Sequence, residues 1–208
     1  MTFYRFARAV VLSVCKVLFR VQVSGREHVP ESGAYIVAPT HRSILDVPFA
    51  AFITPRTVRF LAKEELFSTG IGRRLFTALG AIRVERGTAD RGALRALEEA
   101  LIGGSPVAVF PEGTRASGPR LAPLFDGAAY LSVKLQVPIV PVGIGGSEGI
   151  LPKGKRFPRI HRVAVVVGRP IEPLEPTTRA RRVAAAKLTD ELATELQRAF
   201  TEALERAG

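Results

Sequence analysis

The feature that most restricts the fold is a repeated alternation along the chain. Short, Val-rich apolar runs recur at 21–23 (VQV), 34–39 (AYIVAP), 57–62 (TVRFLA), 81–85 (AIRVE), 106–110 (PVAVF), 137–144 (VPIVPVGI) and 163–168 (VAVVVG). Between most of them lie stretches with helical spacing, at 44–52, 71–79, 89–102, 127–136 and 178–206. Gly103-Gly104 supplies a stop for the helix over 89–102. Strands separated by helices predict an α/β fold: a single layered domain with a mostly parallel central sheet flanked by helices. The apolar, Val-rich runs among them fit a sheet covered on both faces. The division expected is a helix over 1–20 followed by one domain over 21–208, long enough to bury a sizeable core.

Composition removes several classes. The chain has one cysteine, Cys15, and three histidines, His28, His41 and His161. One cysteine makes no internal disulfide, and no Cys/His cluster has the spacing of a structural zinc site. Serine-hydrolase, Walker and dinucleotide glycine motifs are missing from the sequence. The net charge is +11, from 30 basic and 19 acidic residues. Part of that excess is a composition bias toward arginine; the remainder points to a polyanionic partner. With no zinc finger and no aromatic RNA-binding signature, nucleic acid is the weaker choice against a phosphorylated substrate or an anionic membrane. The stretch Lys153, Lys155, Arg156, Arg159, Arg162 and Arg169 has no acid among it and reads as a solvated loop or an anion contact.

The first twenty residues contain no apolar run of about 18 residues, so a spanning helix is not expected. They lack a small-residue cleavage site before the strand-like VQV, so a secretory signal is not expected either. At 100° per residue, Arg5, Arg8, Ser13, Lys16 and Arg20 share one arc, and Phe3, Phe6, Val10, Val14, Val17 and Leu18 the other. Two readings stand: a helix covering the core, or one lying in a membrane interface.

Three clusters carry candidate chemistry. His41 and Asp46 follow the strand at 34–39, at the kind of strand-to-helix junction where α/β folds place ligands. In a regular helix five residues would set them about 140° apart. With His41 in the turn before the helix and Asp46 in its first turn, the imidazole can fold back onto the carboxylate, which would fix its tautomer. The alternative is a loop histidine and a first-turn acid interacting with the helix dipole. FPEGTRAS at 110–117 ends a buried strand with Glu112, Gly113 and Arg115; the glycine permits a turn, the arginine can fork onto phosphate, and Glu112 could orient a hydroxyl or an arginine. The alternative is a polar turn with a Glu–Arg pair. In GAIRVERG at 80–87, Arg83 and Arg86 flank a strand and are either a second phosphate contact or a solvated edge.

Taken in order, these segments resemble the glycerolipid acyltransferase family typified by 1-acyl-sn-glycerol-3-phosphate acyltransferase. His41-Arg-Ser-Ile-Leu-Asp46 matches its His-x4-Asp motif, and Gly80-Ala-Ile82-Arg-Val-Glu-Arg86 its Gly-x-Ile-x3-Arg motif. Phe110-Pro-Glu-Gly-Thr-Arg115 matches the third motif and Val137-Pro-Ile-Val-Pro141 the fourth, with the familiar AKEEL at 62–66 between the first two. The resemblance covers roughly residues 20–170, so 21–208 would be the acyltransferase domain. It implies that His41 is the general base on an acceptor hydroxyl and that Asp46 orients it. It assigns Arg83, Arg86, Glu112, Gly113, Thr114 and Arg115 to the acceptor and Pro141 to the acyl channel. The sequence departs from the family pattern at Arg83, where a large apolar residue is common, and at 122–127, where relatives often carry lysines.

The resemblance further implies an O-acyltransferase of phospholipid biosynthesis, with acyl-CoA or acyl carrier protein as donor and a lysophospholipid as acceptor. Lysophosphatidic acid giving phosphatidic acid is the leading case. Glycerol 3-phosphate, another lysolipid, or a non-catalytic lipid-binding scaffold are the alternatives. No metal or prosthetic cofactor is expected, and no nucleic-acid partner. Such substrates favour the interfacial reading of residues 1–20, with the protein peripheral or monotopic on the anionic cytoplasmic face of the membrane.

Overall fold

A computed structural model describes residues 2–84, 89–150, 159–175 and 180–208. Glu85 and Arg86, the basic residues Lys153, Lys155 and Arg156, and the first residues of the expected helix over 178–206 lie outside these. The chain opens with α1 (Thr2–Phe19), β1 (Gln22–Ser24), β2 (Ile36–Pro39) and α2 (Asp46–Ala50), the last extended by a 3-10 turn over Ala51–Ile53. It continues through β3 (Arg59–Lys63), α3 (Gly70–Ala78), β4 (Ala81–Val84), α4 (Ala89–Ile102) and β5 (Val107–Ala108). The last elements are α5 (Gly127–Leu135), β6 (Ile139–Gly145), α6 (Ser147–Ile150), β7 (Ala164–Val167) and α7 (Arg181–Ala207).

The strands form one seven-stranded sheet in the order β1-β7-β6-β2-β5-β3-β4. Five of them, β6, β2, β5, β3 and β4, run parallel. β7 is antiparallel to β6, and β1 pairs parallel with β7. The mostly parallel sheet read from the alternation is therefore present, with a reversed pair at one edge. Among the described residues the short α6 is the only helix between these antiparallel neighbours.

Alternation along each strand sends side chains to two cores. Tyr35, Val37, Val140, Val142 and Ile144 join Cys15, Phe19 and Phe49 on the face covered by α1 and α2. Ile36, Ala38 and Ile139 join Leu97, Leu101, Leu131, Leu188, Leu192 and Leu196 under α4, α5 and α7. Each fully buried Leu or Ile contributes about 1.5–3 kcal/mol. Helix α7 approaches β6 closely because Gly143 and Gly145 present no side chain to it. A Cβ on either would stand 2.2 Å from the carbonyl oxygen of Ala199 or Ala203. Small residues on both sides of this contact let the helix backbone rest on the strand.

Pro141 sits in the middle of β6, paired in register with Ala38. Its carbonyl accepts from Gly168 N–H at 2.9 Å, so its nitrogen, which points the same way along a strand, faces the side where β7 has ended. A missing donor there costs the ladder no bond.

Helix α1 departs from the two-arc reading in one respect. Its inward face is Val11, Leu12, Cys15 and Phe19, together with Arg8. The Arg8 guanidinium donates to the carbonyls of Ala51 (2.6 Å) and Thr54 at the end of the α2 segment. Arg8 therefore docks the helix and does not belong to a solvated basic arc. The carbonyls left free at a helix C-terminus carry partial negative charge, which is why a buried cation is accepted there. The opposite, outward arc is apolar: Phe6, Val10, Val14, Val17 and Leu18 are 67, 45, 50, 77 and 45% exposed.

Candidate active site

The C-terminal ends of β2 and β5 lie side by side at the centre of the sheet, and each runs into a motif loop. Thr40 ends β2 with two bonds to β6: its N–H donates to Val142 O (3.0 Å), and its hydroxyl accepts from Ile144 N–H (2.9 Å). The chain then turns through 41–45 before α2 begins at Asp46. That turn brings His41 Nδ1 to 3.2 Å from Asp46 Oδ2.

Asp46 is fully buried, and its Oδ2 also accepts the backbone N–H groups of Arg42 (2.5 Å) and Ser43 (2.6 Å). The loop thus gathers three donors on Oδ2, while Oδ1 is buried without a hydrogen-bond partner among the described residues. Because Oδ2 is an acceptor, Nδ1 of His41 carries the proton and Nε2 is left with its lone pair. The His41 side chain is 18% exposed. Its ring lies 4.2 Å, centroid to centroid, from that of Phe110 at 34°. One face is held by packing and one nitrogen by Asp46, and among the described residues the other nitrogen has no hydrogen-bond partner.

The FPEGTR loop joins this turn from β5. Ala116 N–H donates to His41 O (2.9 Å). Gly113 adopts φ +67°, and a Cβ there would meet the Phe125 ring at 2.8 Å, so both conformation and space call for glycine. Glu112 lies beneath the loop with its side chain fully buried. Its carboxylate accepts from His41 N–H (3.0 Å), from Arg42 Nη1 at both oxygens (2.8 Å each) and from Ala122 N–H (2.9 Å). Every acceptor position is engaged inside the protein. Glu112 is thereby a support for the His41 turn; its expected placement on the acceptor phosphate gives way, since a buried, fully bonded carboxylate has nothing to offer an anion.

Thr114 and Gly113 are exposed on the loop, and Arg115 is half-buried. Among the described residues the Arg115 guanidinium has no hydrogen-bond or ion-pair partner, which leaves its fork available. Arg83 lies on the edge strand β4, three strands from β2 and thus about 14 Å across the sheet. It is 56% exposed and pairs with Glu64 at 3.4 Å. No described contact joins it to the His41 cluster. Pro141 lies buried inside the sheet, in register with Ala38 and with its ring against Gly168.

Sequence reasoning passed over Arg42, Phe110 as a ring partner, and Thr40. Their roles come from contacts across 69 to 104 residues. One signal for Arg42 was present: a charged residue inside an otherwise compact turn, in a chain whose Glu112 would need a cation once buried.

The family model described as Acyltransferase matches residues 20–145. A 1-acyl-sn-glycerol-3-phosphate acyltransferase of Chlamydomonas reinhardtii is 30% identical over 184 residues, 84% of this chain and 54% of that protein. The human 1-acyl-sn-glycerol-3-phosphate acyltransferase alpha is 33% identical over 140 residues, 66% of this chain and 50% of that protein. The chain thus spans about half the length of these relatives. The crystal structure of the 1-acyl-sn-glycerophosphate (LPA) acyltransferase PlsC of Thermotoga maritima superposes with a TM-score of 0.67 at 27% identity, over 90% of this chain and 80% of that one.

Proposed function

The chain belongs to the acyltransferase family, and on that premise we propose that it transfers a fatty acyl group from an acyl thioester to the free hydroxyl of a lysophospholipid. Lysophosphatidic acid, giving phosphatidic acid, is the acceptor that the names of its relatives favour. The observation that carries this reading is the His41–Asp46 pair, with its proton assignment set by the surrounding donors.

In the transfer, Nε2 of His41 takes the acceptor hydroxyl proton as the oxygen attacks the thioester carbonyl. Asp46 stabilises the imidazolium. The tetrahedral adduct collapses with loss of the thiolate, and the imidazolium returns its proton to that sulfur. One ester forms, one thioester breaks, and no covalent enzyme intermediate is required. Cys15 is buried on the inward face of α1 and takes no part. Arg115, half-buried on the loop hydrogen-bonded to His41 O, is the phosphate ligand best placed near the base. Thr114 and Gly113 lie on the same loop, and Arg86, outside the described residues, is kept as a further acceptor contact on the strength of its motif position. The donor is coenzyme A or acyl carrier protein thioester.

We place the enzyme at the cytoplasmic face of a membrane, held by α1. None of the described helices is long and apolar enough to cross a bilayer. The support is the helix's two-sided character: one face is anchored by Arg8, Cys15 and Phe19, and the other exposes five large apolar side chains. An exposed apolar arc flanked by Lys16 and Arg20 suits an anionic lipid interface.

Thiol release tests the reaction. Purified protein is mixed with palmitoyl-CoA, oleoyl-CoA or acyl carrier protein thioester, with and without lysophosphatidic acid, glycerol 3-phosphate or other lysolipids. Acceptor-dependent release with phosphatidic acid as product is the expected result. Release without acceptor would mean thioesterase chemistry, and no release with any pair would leave a lipid-binding scaffold.

A further inference from the structure

Arg42 stands inside the His-x4-Asp segment at a position the motif does not specify. Its side chain is 2% exposed, so it is not a surface arginine awaiting an anion. Nη1 donates to both oxygens of Glu112 (2.8 Å) and to His41 O (3.1 Å). Nε donates to Gly118 O (3.1 Å) and Nη2 to Arg120 O (2.9 Å). Below it, the Phe200 ring of α7 lies 4.7 Å from the guanidinium carbon. All three nitrogens are engaged by protein.

These contacts form a closed brace around the base. Arg42 holds Glu112, and Glu112 holds the His41 N–H. Arg42 also holds the His41 carbonyl, and its own N–H is one of the donors that fix Asp46 Oδ2. The far side of the brace is the 118–121 loop, tied to α7 by Gln197, which accepts from Leu121 N–H (2.9 Å) and donates to Pro119 O (3.1 Å). Phe200 and Gln197 lie beyond residues 20–145, the span the family model matches. Support for the His41 turn thus includes a helix outside that span.

We propose that Arg42 is a positioning residue of the transfer step, locking the His41 turn over Asp46 through a brace of Glu112, the 118–121 loop held by Gln197, and Phe200 of α7 stacked on the guanidinium. Only a planar fork with donors in several directions reaches four carbonyl or carboxylate partners from one buried point. A lysine keeps the charge and loses that geometry. A displacement of about 1 Å in a catalytic group costs on the order of a hundredfold in rate, so a small relaxation of the turn is visible in kcat.

The proposal rests on the acyl-transfer reading for its kinetic arm, and a second arm does not depend on activity. With three histidines in the chain, histidine-selective 15N labelling gives few imidazole signals, and His41 is assigned by its loss in His41→Ala. In Arg42→Lys, shown to be folded by circular dichroism, the His41 imidazole signals should move while those of His28 and His161 stay. With palmitoyl-CoA and lysophosphatidic acid, kcat should fall tenfold or more, with both KM values within twofold of the parent. Phe200→Leu, which leaves Arg42 in place, should move the same signals by less and carries the test if Arg42→Lys does not fold. Unchanged His41 signals in a folded variant would overturn the proposal. So would a raised acceptor KM at unchanged kcat, which would make Arg42 a substrate contact. A parent protein with no transferase activity would defeat the functional reading and leave the spectroscopic arm to decide the role of Arg42.

Discussion

Asp46 Oδ2 lies 3.2 Å from Nδ1 of His41 and accepts the backbone N–H groups of the two residues that follow that histidine. One oxygen therefore shapes the turn and orients the imidazole together. Asp46→Asn keeps an acceptor oxygen but loses the charge that stabilises imidazolium. It should fold and lose at least about a hundredfold in kcat. His41→Ala removes a partly exposed ring and should lose activity at least as severely, with stability changed by under ~1 kcal/mol. Full turnover in a folded His41→Ala protein would end the general-base mechanism.

Glu112 and Arg42 form a buried pair with every polar atom of the carboxylate satisfied. Removing one partner strands the other charge, at a cost of about 3–5 kcal/mol. Glu112→Ala should lower Tm by roughly 10 °C or more in a chain of this size. A calorimetric Tm within a degree or two of the parent would show that the pair is not the support described here.

Arg115 should reveal itself in one Michaelis constant. A charge-assisted bond to phosphate contributes about 1.5–3 kcal/mol. Arg115→Ala should raise acceptor KM by roughly 10- to 100-fold while donor KM holds. Equal changes in both constants, or none, would remove Arg115 from the acceptor site.

The outward arc of α1 can be tested without disturbing the fold. Truncating residues 1–20 would also remove the buried side chains of Cys15 and Phe19, so loss of binding would be confounded with loss of structure. Val17, 77% exposed, is the cleaner target. Val17→Glu should leave Tm nearly unchanged and reduce sedimentation with phosphatidylserine-containing vesicles. Undiminished binding by that variant and by Phe6→Ser would separate α1 from the membrane.

Burial pushes the Cys15 thiol above its ordinary value, and burial does the same to the Tyr35 phenol. The folded chain thus suppresses the thiolate, and Cys15 should resist iodoacetamide at pH 8 until denaturant is added. Stoichiometric labelling of native protein would contradict its burial. The sign for stability follows. Each group favours the folded state below its unfolded pKa, and that contribution is lost as pH rises through the higher folded value, so alkaline solution should weaken the fold.

Much of the architecture was legible in the chain. The helix expected at 89–102 spans Ala89–Ile102, and that at 127–136 spans Gly127–Leu135. The strand expected at 163–168 is Ala164–Val167. These signals are local: periodicity, a Gly-Gly stop, a run of valines. The His41–Asp46 contact was legible as a possibility of the turn between them. Of the two readings of Arg83, residue type alone could not choose the edge-strand position paired with Glu64 that it occupies. Glu112 was legible as a group able to orient an arginine, but neither its burial nor its partner Arg42 could be read from the chain.

The sequence by itself determined the layered α/β class, the order of the elements and the small set of residues able to do chemistry. Short-range patterning and turn chemistry suffice for these. Only the tertiary structure decided that β7 reverses against β6, that Arg8 turns inward while Phe6 and Val17 stay exposed, and that Arg42 meets Glu112 beneath His41. Each depends on burial against residues far along the chain. A charge or an apolar side chain has no fixed meaning in sequence until packing sets which partners exclude water from it.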